Sequence, residues 1–135
     1  MTKRTIAEVM TRMPHSVGQD QPVKAAQQLM HRHGIRHLPV KYAGELAGVV
    51  SERDIELAMR IEVESNATLK VSDVMIPEMY SVPTSEDLAA VAGTMAEKRI
   101  GCALVTDDRN QLAGIFTSVD ACRVLAEILT TNCCK

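Results

Sequence analysis

The chain has 135 residues, 46% of them hydrophobic but only three aromatic; that is one domain's worth of sequence, able to bury roughly two-thirds of the surface its unfolded form exposes without a metal or disulfide. Fifteen basic against seventeen acidic residues leave a net charge of −2 with no block of like charge, which argues against nucleic acid as the main partner. The opening MTKRTIAEVM is charged, and nowhere do the roughly twenty apolar residues of a membrane span occur, so a cytoplasmic protein with no membrane partner is expected.

In chain order, EVMTRMPHSV (8–17) supplies a short first strand. Asp20 and Pro22 then mark a helix start, Val23, Ala26, Leu29 and Met30 fall on one helical face, and Gly34 ends that helix. RHLPV (36–40) and LAGVV (46–50), joined by KYAGE, predict two antiparallel strands and a turn. Ser51 opens a second helix carrying Ile55, Leu57, Ala58, Met59 and Ile61, and the polar EVESNATLK (62–70) reads as a linker. Beyond it Ser85 starts a helix with Leu88, Val91, Ala92 and Met95, CALVT pairs with LAGIFT, and Thr117 opens a last helix with Ala121, Val124, Leu125 and Ile128.

This order occurs twice because the sequence does. DVMIPEMYSV (73–82) echoes EVMTRMPHSV at an offset of 65, AVAGTMAEKRIGCALV (90–105) echoes AAQQLMHRHGIRHLPV (25–40) at the same offset, and GIFTSVD (114–120) echoes GVVSERD (48–54) at 114 − 48 = 66. The expected architecture is α/β (α+β), two strand, helix, strand, strand, helix repeats packed sheet to sheet about a pseudo-twofold axis. Repeat 1 covers 1–66, repeat 2 covers 67–130, and 131–135 is a tail.

The repeated heptad runs glycine, two apolar residues, a hydroxyl residue, two variable positions and aspartate. One reading is structural: S-x-x-D and T-x-x-D are capping boxes that start helices. The other is chemical. Each heptad joins a strand to a helix whose first amides favour an anion such as phosphate. A carboxylate one turn in can accept both hydroxyls of a ribose, and Val49, Val50, Ile115 and Phe116 offer apolar walls for a base.

IRHLPVKYAGELAGVVSERDI and IGCALVTDDRNQLAGIFTSVDA, each preceded by a VM…SV opening and a helix, resemble two tandem CBS domains, the Bateman module. The resemblance covers nearly the whole chain and implies a stand-alone regulatory protein with no enzymatic role. It implies an adenosine-containing ligand, an adenine nucleotide (AMP, ADP or ATP), and a homodimer that answers to an effector protein the sequence does not name. It places ribose on Asp54 and Asp120 and phosphate near Ser51 and Thr117, with Ser118 in the second heptad. Arg36, His37 and Arg53 add basic groups that the second repeat lacks, since Gly101, Cys102 and Val119 stand in their places. Arg36 and His37 could serve either ligand. The opening strands also line the cleft in that family, at Thr11 and His15 in one repeat and Ile76 and Tyr80 in the other. S-adenosylmethionine or NAD(H) as ligand, or a ligand-free structural dimerisation module, are the alternatives.

Other clusters weigh less. His31, His33 and His37 invite a metal, but His31 and His33 point to different helix faces. Cys133 and Cys134 sit in the expected tail with no companion ligand, Cys102 reads as core, and reduced thiols are expected. No nucleophile and base arrangement, zinc-protease motif or glycine-rich phosphate loop occurs, so no catalytic residue and no obligatory cofactor is expected.

Overall fold

A computed structural model describes residues 4–133, the side chains of Asn132 and Cys133 excepted. Its strands and helices are β1 (Thr11–Arg12), β2 (Val17–Gly18), α1 (Val23–His33), β3 (His37–Tyr42), β4 (Glu45–Ser51), α2 (Glu52–Ser65), β5 (Ser81–Pro83), α3 (Leu88–Lys98), β6 (Cys102–Thr106), β7 (Leu112–Thr117) and α4 (Ser118–Cys133). Four helices and two sheets give the expected mixed α/β class.

The chain folds as two compact units whose limits cut across the sequence repeats: one is 14–79, the other joins the residues up to Met13 to those from Tyr80 onward. In the first, β3 is central, parallel to β2 and antiparallel to β4. Its core takes Val23, Ala26 and Met30 from α1, Leu38, Val40 and Val50 from the sheet, Ile55 and Ala58 from α2, and Val71 from the far side of the linker. In the second unit the strand order is β1-β7-β6-β5, and the core joins Val91, Met95, Ala103, Val105, Phe116 and Val124 to Ile6 and Met10 from the amino-terminal segment.

Each repeat's opening therefore completes the other repeat's layer. Ile6 N donates to Glu86 O at 2.8 Å, and its repeat mate Val71 N donates to Gln21 O at 2.8 Å. Both residues are fully buried. The heptad glycines make room for this exchange. A Cβ on Gly48 would meet the Ile76 carbonyl oxygen at 2.6 Å, and one on Gly114 would meet Met10 Sδ at 2.5 Å and the Thr11 carbonyl oxygen at 2.8 Å.

Three boundaries differ from expectation, each for a local reason. The first helix of each repeat starts at Val23 or Leu88 rather than at Asp20 or Ser85, because the preceding carbonyls of Gln19, Gln21, Thr84 and Glu86 already accept from the exchanged segments. The linker is shorter than its polarity suggests. Helix α2 runs to Ser65, where Asn66 takes the left-handed conformation, and the Glu62 carboxylate accepts from Leu69 N at 2.6 Å. The last helix continues through Cys133, so most of the expected tail is helical, while Cys134 lies outside the described residues. The hairpin turn of the first repeat is only Ala43 and Gly44, both at positive φ as a two-residue turn requires.

Pro39 occupies the middle of β3, where a missing N–H would ordinarily break a ladder. Val49, its partner across the sheet, exchanges both backbone bonds with Ile76, so Pro39 sits in a pair that needs no N–H from it.

Candidate functional site

Both heptads end a strand and begin a helix, and both close the capping box that the sequence allows. In the first unit Ser51 Oγ accepts from Asp54 N at 3.2 Å, while Asp54 Oδ2 accepts from Ser51 N at 3.2 Å and Ser51 Oγ at 2.8 Å. In the second, Thr117 Oγ1 accepts from Asp120 N at 3.3 Å and Asp120 Oδ2 accepts from Thr117 N at 2.9 Å and Thr117 Oγ1 at 3.2 Å. Each junction is also pinned from the neighbouring strand: Glu52 N donates to Arg36 O at 2.8 Å and Ser118 N donates to Gly101 O at 3.0 Å.

The first unit sets Ser51 and His37 beside Asp54, Arg36 beside Glu52, and Val49 opposite Ile76. His37 is paired across the sheet with Ser51. Burial holds the His37 imidazole below the usual histidine range, the Asp54 charge opposes that, and the Arg36 guanidinium reinforces it. His37 is therefore neutral at physiological pH, a donor or acceptor rather than a fixed cation. Arg36 Nε stands 4.0 Å from Glu52 Oε1 with both side chains in water, an ion pair that contributes little by itself. Arg53 is exposed in the first turn of α2. Val49 and Ile76 exchange backbone bonds at 3.0 and 2.8 Å, so their side chains lie side by side as a cross-strand pair, with Ile76 48% exposed.

The repeat mates of these residues assemble in the second unit with different chemistry. Thr11 pairs with Ile115 as Ile76 pairs with Val49. Cys102 replaces His37 opposite Thr117; burial pushes its thiol up to about 11, which leaves it an inert core group. Ser118 is exposed at the start of α4. Tyr80 is half-buried against the core, and its carbonyl accepts from Leu104 N at 2.9 Å. Asp120 is buried and meets two further donors, Arg123 Nη2 at 2.6 Å and Thr11 Oγ1 at 3.4 Å. Neither donor was legible at that role from the heptad alone, because Arg123 lies outside it and Thr11 is 109 residues away.

Thr11 thus belongs with Asp120 and Ile76 with Asp54, so each opening segment serves the heptad of the other repeat. His15 goes elsewhere: its ring stacks on that of His33 with centroids 3.6 Å apart. Among the described residues no three histidine, cysteine, aspartate or glutamate side chains converge on a metal position, and the stacked imidazoles present faces rather than lone pairs to one another. No helix of the described residues is long and apolar enough to cross a membrane.

Comparison with known proteins adds the following. The CBS domain family model matches residues 6–60 and 71–127. The chain is 31% identical over 116 residues to the CBS domain-containing protein YhcV of Bacillus subtilis, covering 86% of this chain and 81% of that protein. It is 30% identical over 119 residues to a homoserine O-acetyltransferase of Methanocorpusculum labreanum, covering 87% of this chain and 23% of the enzyme. It spans about a quarter of the length of that and similar curated relatives. Among solved structures, AcuB from Vibrio cholerae superposes with a TM-score of 0.85 at 28% identity, covering 97% of this chain and 96% of that one. CBSX2 in complex with AMP superposes with a TM-score of 0.77 at 26% identity, covering 92% and 97%.

Proposed function

The chain belongs to the CBS domain family, as two tandem copies, and on that premise we propose that it is a cytoplasmic regulatory module that binds an adenosine-containing ligand, foremost an adenine nucleotide. The observation that carries this reading is the Asp54 carboxylate. It stands half-buried at the head of α2, one oxygen engaged by Ser51 and the other with no partner among the described residues. A carboxylate oxygen in that state can accept from a ribose diol. Half-buried Val49 and exposed Ile76 supply an apolar surface for a base, and Ser51, Arg36, His37 and Arg53 supply donors for phosphate. The family relation to CBSX2, crystallised with AMP, supports the ligand class.

In the second unit Thr117 and Ser118 offer hydroxyls, Ile115 an apolar wall and Tyr80 a flanking group, but this less basic counterpart differs at its carboxylate, where Asp120 is already engaged by Arg123 and Thr11. The relation to enzymes covers only about a quarter of their length, which supports a shared binding module rather than shared chemistry. A second copy of the chain is the proposed partner: Leu57 and Ile61 on α2, and Leu125, Ile128 and Leu129 on α4, are exposed at helical spacing. An effector protein would then read the ligand state of that dimer. The ligand can shift such an equilibrium only by its difference in affinity for the two states.

One observation favours a rival: both aspartates already cap their own helices, so the heptads would serve a purely structural dimerisation module equally well. Calorimetric titration with AMP, ADP, ATP, S-adenosylmethionine and NADH separates the two. The expected result is saturable binding of one of them, weakened about ten- to a hundredfold by Asp54→Ala, since a charge-assisted hydrogen bond contributes about 1.5–3 kcal/mol. Silence across the panel, with Asp54→Ala lowering only the melting temperature, overturns the sensor in favour of the scaffold.

A further inference from the structure

The two capping boxes are alike at one carboxylate oxygen and unlike at the other. Asp120 Oδ1 accepts from Arg123 Nη2 at 2.6 Å and from Thr11 Oγ1 at 3.4 Å, so both oxygens of this buried carboxylate are engaged and its charge is balanced. The repeat mate of Arg123 is Leu57, and the repeat mate of Thr11 is Ile76. Neither side chain can donate a hydrogen bond. Asp54 Oδ1 accordingly accepts from no group among the described residues, and Asp54 is the more exposed of the two aspartates.

A vicinal diol approaches a carboxylate as a pair of donors and needs free acceptor capacity. At Asp54 one whole oxygen is available. At Asp120 the diol would have to displace a short charge-assisted bond from a guanidinium, the strongest class of side-chain hydrogen bond. We propose that ribose recognition in this chain rests on Asp54 alone, and that Arg123, with Thr11, acts as a positioning residue that holds the Asp120 carboxylate closed to a diol, so that each chain takes one adenosine ligand. This deepens the sensor reading and rests on it. The asymmetry in basic groups runs the same way. Arg36, His37 and Arg53 accompany Asp54, whereas Gly101, Cys102 and Val119 stand in their places beside Asp120.

The test is titration of the full chain with AMP, or with whichever of ADP, ATP, S-adenosylmethionine and NADH binds more tightly, read for stoichiometry. The wild type should take one ligand per chain, and Asp54→Asn should weaken it at least tenfold. The paired substitution Thr11→Ile and Arg123→Leu copies the repeat mates Ile76 and Leu57 and replaces two exposed residues, so the fold should survive; a melting curve checks that. It should add a second ligand per chain, and a further Asp120→Asn should remove it. A purely structural Arg123 would never raise the stoichiometry. Two ligands on the wild type, undiminished binding in Asp54→Asn, or a stoichiometry still at one in the paired variant overturns the inference and leaves the sensor reading standing. A wild type silent to the whole panel removes that reading and this inference with it.

Discussion

Thr11 Oγ1 lies 3.4 Å from Asp120 Oδ1, a residue 109 positions further along the chain. That hydrogen bond belongs to an exchange of opening segments: residues 6–12 build the layer of the second repeat, and residues 71–76 build that of the first. The heptads are thus each flanked by a strand that arrives from the other repeat. The side chains beside a heptad are consequently set by a distant part of the sequence.

If the amino-terminal segment is part of the second core, truncating Ile6 opens a cavity there. Ile6→Ala should destabilise the protein by about 2–5 kcal/mol, measured by denaturant unfolding. Hydrogen exchange should show the loss of protection in β6 and β7, which lie with Ile6 in one core. A change under about 0.5 kcal/mol, the range of ordinary surface substitutions, would mean that the segment is not packed as described.

The heptad glycines admit the exchanged backbone, so a methyl group there must displace it. Gly114→Ala, whose Cβ would meet the Thr11 carbonyl oxygen at 2.8 Å, should cost about 1–3 kcal/mol. Gly93 is the control. It sits in the interior of α3 with nothing within 4 Å of an added Cβ, and Gly93→Ala should stabilise by about 0.5–1 kcal/mol. Comparable melting temperatures for the two variants would contradict the close approach.

Helix α1 ends on Gly34 at φ 62°, and its repeat mate α3 ends on Arg99 at φ 56°. The same left-handed cap is strained in the second case, because a Cβ there crowds the following carbonyl. Arg99→Gly should raise stability by about 0.5–1 kcal/mol after the added freedom of the unfolded chain is counted, and thermal melting checks it.

His37 titrates below the usual histidine range in the folded state, so near pH 6.5 the unfolded chain binds more protons than the folded one. Its contribution to stability is present above pH 6.5 and is lost as pH falls toward the folded value. Melting temperature against pH should therefore fall on acidification below pH 6.5, and His37→Gln should flatten part of that fall. An unchanged profile in the variant would remove His37 as a contributor.

The sequence by itself determined the doubled unit, its helix, strand, strand, helix order and the starts of the two helices that follow the heptads, because periodicity, turn chemistry and the 65-residue echo are local properties of the chain. Ser51, Asp54, Thr117 and Asp120 were legible for the same reason: a capping box is closed by residues three apart. Tertiary structure alone decided that Ile6 and Val71 change places between layers, that the heptad glycines are sites of close backbone approach, and that Thr11 and Arg123 occupy Asp120 while Ile76 and Leu57 leave Asp54 open. Those facts depend on which segment lies beside which strand. Two openings as alike as EVMTRMPHSV and DVMIPEMYSV fit either partner by pattern, and only packing in three dimensions selects between them.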